Sequence, residues 1–181
     1  MPQAWPCGIL IGEVLVRSKG PTSHLSDEGV NAAMAIKTAA QLRELMAANI
    51  EAWNERRLDD YYAQFTRGVV FQGPGATRAV GRDALRAHYG TALAAFPDLV
   101  ITTEQIVVDL DAKAMASRQI EVGTHTGDLV TAQGTLPATG RSMSMSGAVF
   151  ARFDDAGLIV EMIEYFDRMA MTEQLLGPGT T

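Results

Sequence analysis

The sequence is poor in the residues that many metal and redox sites require. Its 181 residues include a single cysteine, Cys7, and three histidines at positions 24, 88 and 125. One cysteine can form neither an intrachain disulfide nor a thiol-rich metal site, and the histidines lack the close spacing typical of zinc and non-haem iron ligands. We therefore expect no metal and no cofactor, and we expect a reducing, cytoplasmic environment.

Basic stripes and long apolar runs are also missing. The 15 Lys and Arg residues are outnumbered by 21 Asp and Glu residues, which gives a formal net charge of -6. Because no window collects the basic residues into a stripe, nucleic acid is not an expected partner. The apolar run from Cys7 to Val16 is too short to span a bilayer and follows no basic residue, so neither a membrane span nor a secretory leader is predicted. Phosphate-loop, dinucleotide-binding and Gly-x-Ser-x-Gly motifs are absent from the sequence.

The residues that are present predict one globular domain. Hydrophobic residues make up 47% of the chain, enough for a core that contains a cavity. Turn-forming residues are concentrated between Gly20 and Gly29 and predict turns there instead of a core element, so an N-terminal extension is predicted over residues 1–36. The domain is predicted over residues 37–177, and a short C-terminal tail over 178–181.

Hydrophobic periodicity predicts helices first and strands afterwards. Helices are predicted over 36–57, 58–64, 81–96 and 168–176, and strands over 68–71, 99–108, 114–126, 141–153 and 158–166. A run of antiparallel strands after a group of helices is typical of an α+β fold in which the helices cover one face of a curved sheet.

Six short motifs follow one another in a recognisable order. They are Trp53 in an early helix, Gly81-Arg82-Asp83, Phe96-Pro97-Asp98-Leu99, Gly123 to Gly127, Pro137 to Arg141, and Glu161 to Asp167 together with Gln174 to Gly177. In this order they resemble the SnoaL-like polyketide cyclase family. The resemblance implies the cone-shaped nuclear-transport-factor-2-like fold, a curved antiparallel sheet wrapped over N-terminal helices that enclose an apolar cavity. It also implies a small apolar or aromatic carbonyl substrate.

The resemblance assigns Asp167 the role of general acid and base. In the family an aspartate at the end of the last strand faces into the cone, and apolar surroundings raise the pKa of such a carboxyl towards the working pH. Strand alternation places Asp167 on the same face as Tyr165 and on the opposite face from Glu164. The alternative is that Asp167 caps the helix that begins at Arg168.

His125 is the second predicted catalytic residue. It shares a strand face with the polar side chains of Gln119 and Glu121, and it is expected to donate a hydrogen bond to a substrate carbonyl or enolate. The alternative is a structural imidazole that bonds the backbone at a strand end. We interpret Gln119 and Glu121 themselves as a solvated or dimer-facing row, and we expect His88 to pack against the sheet.

Aromatic and methionine side chains are predicted to bind the substrate, with ordinary core packing as the alternative. The predicted substrate-binding residues are Trp53, Tyr62, Phe65, Phe71, Tyr89, Phe96, Met145 and Tyr165. One departure from the family concerns the strand at 141–153, which lacks the histidine and glutamine that the better-known cyclases carry there. If the reaction requires these two residues, this chain uses a different hydrogen-bond donor or catalyses a different reaction.

The leading functional hypothesis is a ring closure without a cofactor. Asp167 would remove a proton next to a carbonyl, the enolate would attack a second carbonyl, and Asp167 would return a proton to the alkoxide. Isomerisation, dehydration and hydroxylation would begin with the same aspartate, and a ligand-binding module without turnover is the alternative from another class. The sheet face without helices is expected to pair with a second copy of the chain, giving a homodimer.

Overall fold

The described part of the chain begins at residue 36 and ends at residue 177. The computed structural model describes residues 36, 38–75, 77–131 and 134–177. Except for Ile36, the predicted N-terminal extension lies outside the described residues, and so does the predicted tail at 178–181.

Four helices lie within these ranges: α1 (Ala39–Asn54), α2 (Leu58–Ala63), α3 (Arg82–Ala95) and α4 (Arg168–Leu176). Helix α1 begins at Thr38, whose side chain accepts a hydrogen bond from the backbone N–H of Gln41 while the Gln41 side chain accepts one from the Thr38 backbone. This capping box satisfies two N–H groups that the helix cannot pair internally. None of the described helices is long and apolar enough to cross a membrane.

The strands form one large sheet and one hairpin. They are β1 (Phe65–Gln72), β2 (Arg78–Val80), β3 (Val100–Asp109), β4 (Ala114–Thr124), β5 (Leu129–Thr131), β6 (Gly134–Leu136), β7 (Ser142–Phe153) and β8 (Ile159–Phe166). The six-stranded sheet has the order β2-β1-β8-β7-β4-β3, and β5 pairs with β6. Neighbours are antiparallel except β1 and β8, which run parallel. The predicted α+β class and curved sheet are confirmed. The sequence patterns did not reveal β2, β5 and β6.

The two faces of the six-stranded sheet have different surroundings. We call the face that carries the buried side chains of Val149 and Met162 the inner face, and the face that carries Phe150 and Tyr165 the outer face. Helix α1 is held near the inner face by polar contacts to β3 and to Leu99, the residue just before it. The Trp53 indole N–H donates to the Leu99 carbonyl at 3.2 Å, and the Asn54 carboxamide bonds both the carbonyl and the N–H of Ile101 at 2.8 Å.

Candidate active site

A cavity of about 420 Å³ opens at the inner face of the sheet. This volume suits a small organic ligand. Helices α1 and α3 and strands β3, β4, β7 and β8 contribute most of its wall, which is largely aromatic, aliphatic and methionine-rich. The apolar lining includes Met46, Ile50, Trp53, Tyr61, Tyr89, Phe96, Leu99, Ile101, Leu129, Met143, Met145, Val149, Met162 and Phe166.

Glu164 is the carboxyl group that β8 presents to this cavity. Alternation along the strand sends Met162, Glu164 and Phe166 to the cavity wall. From α3, the Tyr89 hydroxyl donates a short hydrogen bond to Glu164 Oε1. A helix and a strand 75 residues apart in sequence thus fix one carboxyl group in an apolar wall.

The surroundings of Glu164 favour its neutral form. Burial, reinforced by the negative charge of Glu121, raises the pKa of Glu164 from 4.5 to about 8, although the hydrogen bond from Tyr89 acts in the opposite direction. A carboxyl with a pKa near the working pH exchanges protons readily in both directions. Glu164 is therefore suited to both general acid and general base chemistry.

A second carboxyl, Glu121, lines the same cavity from β4. Burial raises the pKa of Glu121 from 4.5 to about 7. Gln119, two residues earlier, is buried in the same wall and donates from Nε2 to the Ser117 hydroxyl at 3.0 Å. The interpretation of Gln119 and Glu121 as a solvated or dimer-facing row is wrong. They face inwards because this part of the inner face borders a cavity, where polar groups need not pack against hydrocarbon.

Two aromatic rings, those of Trp53 and Tyr61, pack against the ring of Tyr89, which is the donor to Glu164. Trp53 contacts Tyr61 and Tyr89 edge-on, with ring centroids 5.1 and 5.2 Å apart. Burial raises the pKa of the Tyr61 and Tyr89 hydroxyls well above the ordinary value, so both remain protonated. Packing of this kind restricts the Tyr89 ring and keeps its hydroxyl directed at the carboxyl.

Asp167 does not reach the cavity. It is exposed at the start of α4, where Oδ1 accepts hydrogen bonds from the backbone N–H groups of Met169 and Ala170 at 2.9 and 3.1 Å. The expectation that Asp167 faces into the cone is wrong for this structure, and the alternative of a helix cap describes its contacts. Because Glu164 points inwards, alternation places Asp167, three positions further along, on the other side. The strand has also ended by this point, and helix α4 begins at the next residue.

His125 is fully buried but lies outside the cavity wall. Its Nδ1 accepts from the Thr139 backbone N–H at 3.3 Å and lies 3.1 Å from the Thr139 hydroxyl, and its ring lies 5.1 Å from that of Phe96. The imidazole thus joins the end of β4 to the loop before β7. The two-residue mechanism requires His125 and Asp167 in one cavity, and the structure does not bring them together there.

The predicted substrate-binding residues divide into three groups. Trp53, Tyr89, Phe96 and Met145 line the cavity. Tyr62, Phe65 and Phe71 are buried in the core away from its wall, so the alternative of core packing describes their positions. Tyr165 is 60% exposed on the outer face, where its ring meets that of Phe150, and its expected position in the cavity is wrong.

His88 lies at the cavity wall, where its ring contacts those of Phe71 and Tyr89, with ring centroids 4.8 and 5.3 Å away. Burial lowers the pKa of the His88 imidazole, so it is neutral near pH 7. Within the described ranges, no three His, Cys, Asp or Glu side chains are grouped so that they could hold a metal ion.

Solved structures share this architecture. AclR of Streptomyces galilaeus, a candidate hydroxylase, is 22% identical with a TM-score of 0.64, and the match covers 76% of this chain and 82% of that one. IdmH of Streptomyces antibioticus, a candidate polyketide cyclase, is 27% identical with a TM-score of 0.62 over 75% and 98%. A candidate SnoaL-like cyclase from Jannaschia sp. CCS1 is 16% identical with a TM-score of 0.68 over 83% and 99%. The fold is therefore nuclear-transport-factor-2-like.

The sequence itself carries the family signature. The model of the SnoaL-like polyketide cyclase family matches residues 43–175, which is most of the chain. The chain belongs to the SnoaL-like polyketide cyclase family, as the order of its motifs predicted. No curated protein sequence matches it.

Proposed function

We propose that this protein is an enzyme that catalyses ring closure of an aromatic polyketide, or of a similar small carbonyl compound, by general acid and base chemistry that needs no cofactor. The observation that carries the proposal is the Glu164 carboxyl, held by Tyr89 in an apolar cavity of suitable size. Family membership supports the reaction class. The single cysteine favours a cytoplasmic location.

In the proposed reaction Glu164 acts twice. Its carboxylate removes a proton from the carbon next to a substrate carbonyl, which leaves an enolate. The enolate carbon attacks a second carbonyl of the same molecule, a carbon–carbon bond forms, and the proton on Glu164 moves to the new alkoxide. The cavity wall contributes by holding the flexible substrate with its two reacting carbons close together.

In this proposal Glu164 is the general acid and base, the role that the family resemblance assigned to Asp167. Glu164 lies near the end of β8 and Asp167 directly follows that strand, but only the Glu164 carboxyl lines the cavity. The polar partners missing from β7 have a counterpart on the neighbouring strand, because Gln119 of β4 pairs with Gly147 of β7. We propose that Gln119 and Glu121 replace the family's histidine and glutamine as polar groups beside the reacting centre.

The same first proton transfer also begins isomerisation, dehydration and hydroxylation. The likeness to AclR, a candidate hydroxylase, keeps these reactions as the second candidate function. They differ from ring closure in the fate of the enolate, so the identity of the product separates them.

Deuterium exchange tests the proposal without knowledge of the natural substrate. The probe is 2-tetralone, a small aromatic ketone with exchangeable protons next to its carbonyl, followed by proton NMR in heavy water. We expect wild-type protein to accelerate the exchange and Glu164→Gln to lower the acceleration by about 10²–10⁴-fold. If 2-tetralone binds but exchanges no faster than in buffer, the proposal is contradicted and the ligand-binding module takes its place.

We also propose that two copies of the chain pair through the outer face. Apolar residues form one continuous row across its four antiparallel strands, because Val107 pairs with Ala116, Ala116 with Phe150, and Phe150 with Ile163. Val107 and Phe150 are 59% and 47% exposed in the single chain. Apolar rows of this kind commonly mark protein interfaces.

A further inference from the structure

The inference concerns Asn49, a polar residue in the buried stripe of α1. The neighbouring buried positions of this stripe are Met46 and Trp53, and all three residues line the cavity. Asn49 is only 2% exposed. Its Nδ2 is buried and has no hydrogen-bond partner among the described residues.

Asn54, on the same helix, shows what a structural carboxamide looks like in this protein. Its Nδ2 donates to the Ile101 carbonyl and its Oδ1 accepts from the Ile101 N–H, both at 2.8 Å. Asn49 is the more deeply buried of the two and lacks any such donor contact. A buried donor without an acceptor destabilises the folded chain, so packing alone does not account for an asparagine at this position.

The chemistry of the wall indicates what Asn49 binds. The adjacent lining residues of α1 are Met46, Ile50 and Trp53, and the Trp53 indole N–H is already bonded to Leu99. None of these side chains accepts a hydrogen bond strongly. A carbonyl or enolate oxygen is a strong acceptor, whereas a ligand that offers only hydrocarbon at this place leaves the Asn49 donor unpaired.

We infer that Asn49 donates a hydrogen bond from Nδ2 to a carbonyl or enolate oxygen of the bound ligand and so positions that ligand in the cavity. Asn49 is a positioning residue in this account, and proton transfer remains with Glu164. The inference rests on the proposed function in one respect, namely that the ligand is a carbonyl compound. Its test measures binding, which is independent of turnover.

The test compares 2-tetralone with tetralin, a hydrocarbon of nearly the same shape that lacks the oxygen. We expect wild-type protein to bind the ketone more tightly, and Asn49→Leu to reduce the ratio of the two affinities by roughly three- to tenfold. Met46→Leu, one turn earlier on the same wall, is the matched control and leaves the ratio unchanged. Asn49→Ala provides the same comparison with a smaller side chain, should leucine disturb the wall.

Thermal unfolding distinguishes positioning from a structural role. We expect Asn49→Leu to unfold at the same temperature as the wild type or higher, because the substitution removes a buried unpaired donor. A structural role predicts a lower temperature and an unchanged affinity ratio. The inference is overturned if Asn49→Leu and Asn49→Ala retain the preference for the ketone, or if wild-type protein binds neither probe or both equally. A lost preference together with wild-type protein that exchanges no deuterium supports Asn49 and contradicts the proposed function.

Discussion

Each face of the sheet departs from the usual distribution of polar and apolar residues at a few positions. Antiparallel sheets with one solvated face commonly place apolar side chains inside and polar ones outside. Here the inner face carries Glu121 and Glu164 beside an apolar cavity, while the outer face exposes Phe150 and Tyr165. Adjacent residues of the same strands supply both faces. The contrast separates a chamber suited to proton transfer from a surface suited to a partner chain.

The largest expected effect is the loss of the proposed dimer, and its test contrasts Val149 with Phe150, neighbours on β7 that are 5% and 47% exposed. We expect Phe150→Ser to convert the proposed dimer to a monomer while deuterium exchange continues. In that monomeric background, adding Val149→Ser lowers the free energy of unfolding by about 2–3 kcal/mol, because a methyl-bearing side chain is lost and a hydroxyl is buried. Light scattering and urea unfolding measure the two effects.

Wild-type protein that is monomeric in solution contradicts the proposed pairing. A Phe150→Ser variant that unfolds as readily as the double variant contradicts the distinction between the faces, since the inner position should then matter no more than the outer one.

The next effect is the pH dependence of stability. The raised pKa of Glu164, about 8 against an ordinary 4.5, means that the folded chain holds a proton which the unfolded chain releases between these values. Wild-type stability therefore falls as the pH rises through this window. We expect Glu164→Gln to be more stable than wild type by about 4–5 kcal/mol near pH 9, with the gain shrinking to about 1 kcal/mol near pH 5.

Glu161→Gln is the outer-face control for this measurement. It removes an ion pair with Arg152 at 3.4 Å. We expect it to show no gain in stability at high pH. An equal gain in both variants, measured by urea unfolding across the pH range, contradicts the burial of a neutral carboxyl at Glu164.

The smallest expected effect concerns the pH profile of exchange. The negative charge of Glu121 contributes to the raised pKa of Glu164, so Glu121→Gln lowers that pKa. The rate of deuterium exchange rises as Glu164 loses its proton, so this rising limb of the pH profile moves to lower pH in the variant. Ser117→Ala, in the same row of β4, leaves the limb in place. A shift to higher pH contradicts the electrostatic link between the two glutamates.

Much of the architecture was predictable from the sequence. The last helix occupies the predicted residues, and β3, β4, β7 and β8 begin and end within two residues of the predicted bounds, whereas β1 begins three residues before its predicted start. The strands β2, β5 and β6 escaped prediction because each has three residues, too few for a periodic pattern. Their conformation depends on pairing with other strands, which local sequence does not reveal.

The position of the carboxyl was harder to predict. Alternation divided the residues of β8 correctly into two sets, but both sets contained carboxylates. Met162 and Phe166 were the available signal, because apolar flanking residues mark the buried side of a strand and Glu164 lies between them. On β4 the same criterion selects the wrong face, because the polar row of this strand lies on the inner face, at the cavity. Sequence also cannot distinguish Asn49 from Asn54, because the Asn54 partner, Ile101, lies 47 residues away.

One comparison tests the central claim most directly: deuterium exchange of 2-tetralone by Glu164→Gln and by Asp167→Asn. Asparagine caps helices about as well as aspartate, so Asp167→Asn should fold normally. The account predicts that Asp167→Asn exchanges within about twofold of wild type and that Glu164→Gln loses about 10²–10⁴-fold. Loss of exchange in Asp167→Asn, with exchange retained in Glu164→Gln, contradicts it.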